Sequence, residues 1–151
     1  MTAFDGERLR VLVTNDDGVE APGLAALARA VVDMGHDVVV AAPLRDQSGS
    51  GAAIAPAIAE EGIRVSPGTL EGVADVAVHG VDGPPALAVL AARLGGLGRP
   101  PSLVASGVNL GPNTGYAVLH SGTVGAALTA ANFGASGLAV SLNSSRPDHL
   151  T

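Results

Sequence analysis

Val11-Leu-Val-Thr-Asn-Asp-Asp-Gly18 is an apolar run that ends in two adjacent carboxylates and a glycine. Such a run reads as a strand buried on both faces of a parallel sheet, and it delivers Asp16 and Asp17 to the rim of that sheet. Neighbouring carboxylates repel unless a proton or a cation separates them, and hard divalent ions are commonly gripped in this way. The competing account is a polar turn, since Asn, Asp and Gly are residues that turns prefer. The segment alone leaves both accounts open.

The arrangement recurs downstream. Val38-Val-Val-Ala-Ala-Pro43 opens into Leu44-Arg-Asp-Gln-Ser-Gly-Ser-Gly51, and Ser102-Leu-Val-Ala-Ser-Gly107 opens into Val108-Asn-Leu-Gly-Pro-Asn-Thr-Gly115. In a parallel sheet all carboxyl ends lie on one edge, where ligands bind, so three polar loops converge on one place.

Helical patterns separate these runs. The first strand is expected over Arg10–Asn15. Pro22 then opens a helix whose apolar face is Leu24, Leu27, Ala28, Val31 and Val32, with Gly35 as its stop. A strand at Asp37–Ala42 completes a βαβ unit, for which a right-handed crossover is expected. From Pro43 to Gly62 runs a long stretch rich in glycine and alanine, read as part site wall and part connection. Ile63–Ser66 and Val73–His79 are expected to pair as a hairpin around Pro67-Gly68. A helix from Pro84 or Pro85 to Leu94, a third core strand, a helix over Thr123–Phe133 and a buried strand over Leu138–Leu142 follow, and the tail from Asn143 is polar. The sum is a single α/β domain over residues 1–151: a three-layer α/β/α, Rossmann-like fold with a mainly parallel sheet.

Composition bounds the function. Hydrophobic residues make up 47% of the chain and aromatics only 2%, so stacking of a base on a ring is nearly unavailable, with Tyr116 the one ring near the loops. A net charge of −6 and the absence of lysine argue against binding to a nucleic acid polymer, which needs a clustered cationic surface. A metal would therefore have to supply positive charge to a phosphate. Zero cysteines exclude disulfides, thiol catalysis and cysteine-ligated zinc. The first ten residues lack the pattern of a signal peptide and no window approaches a membrane span, so a soluble, cytoplasmic protein without a membrane partner is expected.

Asn15-Asp-Asp-Gly18 with Ala21-Pro-Gly23, then Ala42-Pro43 with Gln47-Ser-Gly49, then Ser106-Gly-Val-Asn-Leu-Gly-Pro-Asn113, then Ser121-Gly-Thr-Val124 resemble, in order and approximate spacing, the successive motifs of the survival protein SurE nucleotidases. The resemblance spans Arg10 to Leu142. It implies one divalent cation per subunit, Mg2+ or Mn2+, held by Asp16, Asp17, Ser48 and Asn109. It also implies phosphate or substrate contacts at Asn15, Asn113, Ser121, Gly122 and Thr123, with Asp16 and Asp17 as the catalytic carboxylates. The implied activity is metal-dependent hydrolysis of nucleoside monophosphates or other small phosphate esters, at the 5′ or 3′ position. A homo-oligomer, dimer or tetramer, is implied where the family's C-terminal arm exists.

The residues are chemically suited to this. Mg2+ and Mn2+ prefer oxygen ligands, one or two carboxylates with water and substrate completing the shell. Ser121-Gly-Thr-Val124 opens a helix with small residues, so the amides of Gly122 and Thr123 are free to meet phosphate at the positive end of the helix dipole. The plainer account of Ser121 is a helix cap, and of Ser48, Asn109 and Asn113 turn formation. Of the histidines, His36 and His149 read as surface residues and His79 as structural, whereas His120, next to Ser121, is placed to protonate a leaving alkoxide. Arg45 has either phosphate or its neighbour Asp46 as partner.

The chain departs from the family pattern at Asp82-Gly-Pro-Pro-Ala86, at Ala52-Ala53 and Ala55, and at Thr129-Ala130, which lacks the usual acidic residue. Family members are also longer, which implies either a fragment or a shortened relative. The alternative function is a nucleotide- or phosphate-binding domain of the same fold with little or no turnover; an assembly module whose loops are simply turns is a third reading.

Overall fold

Alternation within the apolar runs sorts the core into two halves. Val11, Val13, Val38, Val40 and Ala42 pack with Leu24, Leu27, Ala28 and Val31 on one side of the sheet. Leu12, Val39, Ala41, Val81 and Val104 pack with Leu87, Val89, Leu90, Ala126 and Ala130 on the other. Strands with apolar side chains on both faces must be covered on both faces, which is the three-layer arrangement the sequence predicts. Each fully buried leucine or valine, such as Leu12, Leu24 or Val104, contributes about 2 kcal/mol of transfer free energy.

The computed structural model describes residues 6–54 and 62–150. Its elements are β1 (Arg10–Thr14), α1 (Pro22–Asp33), β2 (Asp37–Pro43), β3 (Val65–Gly68), β4 (Ala77–Val81), α2 (Pro85–Arg93), β5 (Leu103–Leu110), α3 (Gly122–Asn132) and β6 (Ser136–Leu142). Short 3-10 turns occupy Gly115–His120 and Pro147–Leu150. The six-stranded sheet has the order β3-β4-β2-β1-β5-β6. β3 alone is antiparallel to its neighbour, so the loops after β1, β2 and β5 do leave from one edge.

Several expectations are corrected. Val32 is 36% exposed and lies outside the buried face of α1, because Leu24, Ala28 and Val31 already fill the contact with the sheet. The hairpin exists, but Pro67 and Gly68 lie within β3, opposite His79 and Val78, and the reversal falls between Thr69 and Val76. Proline is tolerated there because β3 is an edge strand whose outer side needs no donor. The third core strand does not end at Gly107 but continues to Leu110 through a register shift between Ser106 and Asn109. Gly107 has a φ of +133°, and a Cβ there would overlap the Val140 carbonyl of β6, so only glycine passes. Among the described residues β6 pairs only with β5, so it is an exposed edge strand rather than a buried one. The polar tail ends in a 3-10 turn against α1. Of the long stretch after Pro43, residues 55–61, including Ala55, Glu60 and Glu61, lie outside the described residues, as do 1–5 of the amino terminus and Thr151.

The layers close tightly because small residues sit at the crossings. Gly23, in the first turn of α1, faces the backbone of Val108, and a Cβ would run into its carbonyl oxygen. Helix propensity alone favours Gly23→Ala by about 1 kcal/mol, whereas overpacking against a backbone costs about 1–3 kcal/mol. Net destabilisation in urea unfolding is the expected result, and a more stable variant would show that α1 and β5 do not approach this closely.

Candidate active site

β1 ends at Thr14, and the chain turns over Asn15, Asp16, Asp17 and Gly18. Asn15 is fully buried and its Oδ1 accepts the Gly18 amide at 3.2 Å, which holds the turn closed. Gly18, at a φ of +115°, lies against Pro43 and Arg45 of the second loop. The Val19 amide donates to the Pro43 carbonyl at 2.8 Å, and the Gln47 amide donates to the Asp16 carbonyl at 2.7 Å. The first two loops are thus stitched together by backbone.

The third side of the site is the start of α3. Ser121 caps that helix: its Oγ accepts the Val124 amide at 3.2 Å and its carbonyl accepts the Gly125 amide at 2.9 Å. The Gly122 and Thr123 amides have no carbonyl four residues back within the helix, as at any helix start. The Asp16 side chain packs on Gly122, where a Cβ would stand 2.7 Å from the Asp16 Cβ and 2.8 Å from Oδ2. The Thr123 hydroxyl donates to Asp16 Oδ1 at 2.6 Å. Asp16, Gly122 and Thr123, three of the residues singled out from the sequence, are therefore in direct contact.

The two carboxylates differ sharply. Asp16 is 4% exposed with one oxygen satisfied. Asp17 is half-buried, and burial, then the charges of Asp16 and Asp46, push its pKa from 3.8 up to about 6. Asp46 is the residue that the sequence reading missed, having matched it with Arg45. Its Oδ1 accepts both the amide of Ser48, at 2.7 Å, and the Ser48 hydroxyl, at 2.6 Å, and these bonds hold its pKa below the usual carboxylate range. The Asp-x-Ser spacing of an Asx turn was the signal available in the sequence. Ser48 is therefore a turn residue, as one account of it held, with its proton committed and its lone pairs still able to accept or ligate.

Asn109, expected in a loop, lies on β5 after the register shift. Its Nδ2 donates to the Gly111 carbonyl at 2.8 Å, which leaves Oδ1 without a donor among the described residues. Asn113 donates to Ser141 Oγ of β6 at 2.8 Å and lines, with Val124 and Ser141, a cavity of about 590 Å3. His120 and Tyr116 are exposed on the 3-10 turn, and the His120 carbonyl accepts the Gly51 amide at 3.1 Å. His79 lies within β4, and burial lowers its pKa. Arg45 is exposed.

The donor set suits a hard cation. Asp16 and Asp17 are oxygen donors whose mutual repulsion a cation would relieve, and Ser48 and Asn109 each keep an oxygen available. Among the described residues no group of three or more His, Cys, Asp or Glu side chains is arranged to hold a metal, so Asp46 does not add a third carboxylate to such a cage. Two carboxylates with neutral oxygens are what Mg2+ or Mn2+ accepts and what zinc usually does not. Four further buried polar atoms near the rim, Thr14 Oγ1, Asn15 Nδ2, Ser50 Oγ and Ser106 Oγ, have no partner among the described residues. Thr14 and Ser106 are register partners on β1 and β5.

The family profile described as survival protein SurE matches residues 11–151. The protein is similar to the 5'-nucleotidase SurE of Chloroflexus aggregans, with 46% identity over 134 residues, 87% of this chain and 49% of the relative. It is also similar to the 5'-nucleotidase SurE of Nitratidesulfovibrio vulgaris, with 39% identity over 143 residues, 95% of this chain and 55% of the relative. The crystal structure of the Sure protein from Aquifex aeolicus superposes with a TM-score of 0.69 at 35% identity, covering 87% of this chain and 50% of that one. The chain spans about half the length of the curated relatives it matches.

Because Asp17 titrates near 6 when folded and near 3.8 when unfolded, the folded state keeps this proton where the unfolded chain has lost it. Its contribution to ion-free stability therefore falls as pH rises through that window. Asp17→Asn is expected to raise the melting temperature of ion-free protein at pH 7, with the gain shrinking towards pH 4. A lower melting temperature at pH 7 would contradict the assigned repulsion.

Proposed function

The chain belongs to the survival protein SurE family, and on that basis we propose that it hydrolyses phosphate monoesters, nucleoside monophosphates foremost, with the help of a divalent cation. The observation that carries the reading is the contact between the buried Asp16 carboxylate and the first turn of α3, which brings an anionic oxygen cluster against an amide end suited to phosphate. Asp16, Asp17, Ser48 and Asn109 would hold Mg2+ or Mn2+, one per subunit. When bound, that ion supplies a Lewis acid that draws charge from a phosphoryl oxygen.

The remaining work falls to the chain. The Gly122 amide, at the start of α3, orients the phosphoryl oxygens and stabilises their charge in the transition state. Asn113 and Ser121 border the same helix start, and Asn15 supports the turn that carries both carboxylates. Asp17, outside the contact that holds Asp16, accepts a proton from the attacking water as the water oxygen bonds to phosphorus and the ester P–O bond breaks. The leaving alkoxide takes a proton from solvent or from His120. With no ring but Tyr116 at the loops, and that 89% exposed, the reading favours broad tolerance of the esterified group. A cytoplasmic, homo-oligomeric protein belongs to the same reading; no helix among the described residues is long and apolar enough to cross a membrane.

Release of inorganic phosphate from 5′- and 3′-nucleoside monophosphates and a simple aryl phosphate tests this, with Mg2+, with Mn2+ and with chelator. Turnover should require the ion, and Asp16→Asn should lower kcat/KM more than about 100-fold, exceeding what loss of an outer-shell partner costs, with the circular dichroism spectrum unchanged. Ion binding without turnover would instead favour the phosphate-binding alternative, and full activity in chelator or in Asp16→Asn would overturn the proposal.

A further inference from the structure

We propose that Thr123 is a positioning residue for Asp16, its hydroxyl fixing the carboxylate for the cation instead of donating to the phosphate ester. The inference rests on the cation-dependent reading above and adds to it a residue that acts through Asp16. Three observations carry it. Thr123 is 0% exposed, so neither solvent nor a substrate oxygen reaches its side chain. Its hydroxyl stands 2.6 Å from Asp16 Oδ1, a short O–H···O hydrogen bond. A threonine hydroxyl has one proton, and this one is spent on Asp16.

The geometry behaves as a clamp. Thr123 takes Oδ1, while the backbone of Gly122 lies flush against Oδ2 and the Asp16 Cβ, so the carboxylate is held from two sides by the first turn of a single helix. β-Branching restricts the threonine rotamer and fixes the direction of the bond. Among the described residues no other donor reaches the Asp16 side chain. Without the hydroxyl, a 4% exposed carboxylate keeps its place in the chain but loses what sets its rotation. Partners that orient a metal ligand typically carry 10- to 100-fold in ion affinity. The same turn would present the Gly122 amide to phosphate, so one rigid element would set both the ion's ligand and the phosphate cradle.

Titration calorimetry of Mn2+ into the full chain tests the proposal on wild type, Thr123→Val and Thr123→Ser, with the Ki of inorganic phosphate as a second readout. Thr123→Val should raise the Mn2+ dissociation constant about 10- to 100-fold, and Thr123→Ser, which restores the hydroxyl, should stay near wild type. Should the valine variant fail to fold, Thr123→Ala takes its place. Equal Mn2+ affinity in the valine variant and wild type would overturn the proposal, as would a weakened serine variant. A raised phosphate Ki at unchanged Mn2+ affinity would assign the hydroxyl to the ester instead. Wild type that binds no Mn2+ would mark a different failure, that of the cation site itself, and would take the proposal with it.

Discussion

A carboxylate that is 4% exposed at the end of β1 has to be satisfied by its surroundings, because an unpaired buried charge is among the costliest features a fold can contain. The partner comes from 107 residues away, at the start of α3. Much of the arrangement around the rim serves that meeting. Parallel pairing of β1 with β2 and β5 brings the second and third loops to the same edge, and the Gln47 amide ties the second loop to the Asp16 carbonyl. Gly122 allows the helix to come flush against the carboxylate, and Gly125 allows the second loop to lie on the helix, since a Cβ there would overlap the Gly51 carbonyl. A composition rich in glycine and alanine and nearly free of rings is what lets so many backbones approach one point.

The fold was legible because its signals are periodic and redundant. Three apolar runs, each followed by a polar loop, define a parallel sheet, and the alternation of Val11, Leu12 and Val13 between the two core halves confirms burial on both faces. What escaped the sequence was anything that depends on who lies beside whom. Ser136-Gly-Leu-Ala-Val-Ser-Leu142 is as apolar as a central strand, yet it is an edge, and a run of residues carries no mark of its position in the sheet order. The continuation of β5 past Gly107 was hidden for a similar reason: Gly107 reads as a stop unless one sees Val140 against it.

The site divides the same way. Asp16, Gly122 and Thr123 were singled out from motif order, and they do meet, but the bond from the Thr123 hydroxyl to Asp16 was not among the expectations. Asp46 was considered only as one of two partners for Arg45, although its i, i+2 relation to Ser48 already allowed the Asx turn that forms. A motif identifies which residues gather at a site. Which proton goes to which oxygen is settled only by packing.

Two adjacent aspartates with the same chemistry thereby acquire opposite characters. Asp16 is enclosed by α3 and given a donor, so its oxygens are oriented. Asp17 is one residue further on, outside that enclosure, flanked by Asp16 and Asp46, and raised to about 6. In the proposed site both would be ligands, Asp16 held by α3 and Asp17 free of that hold. The difference arises in the turn after β1, where Asp16 lies against the first turn of α3 and Asp17 lies outside that contact.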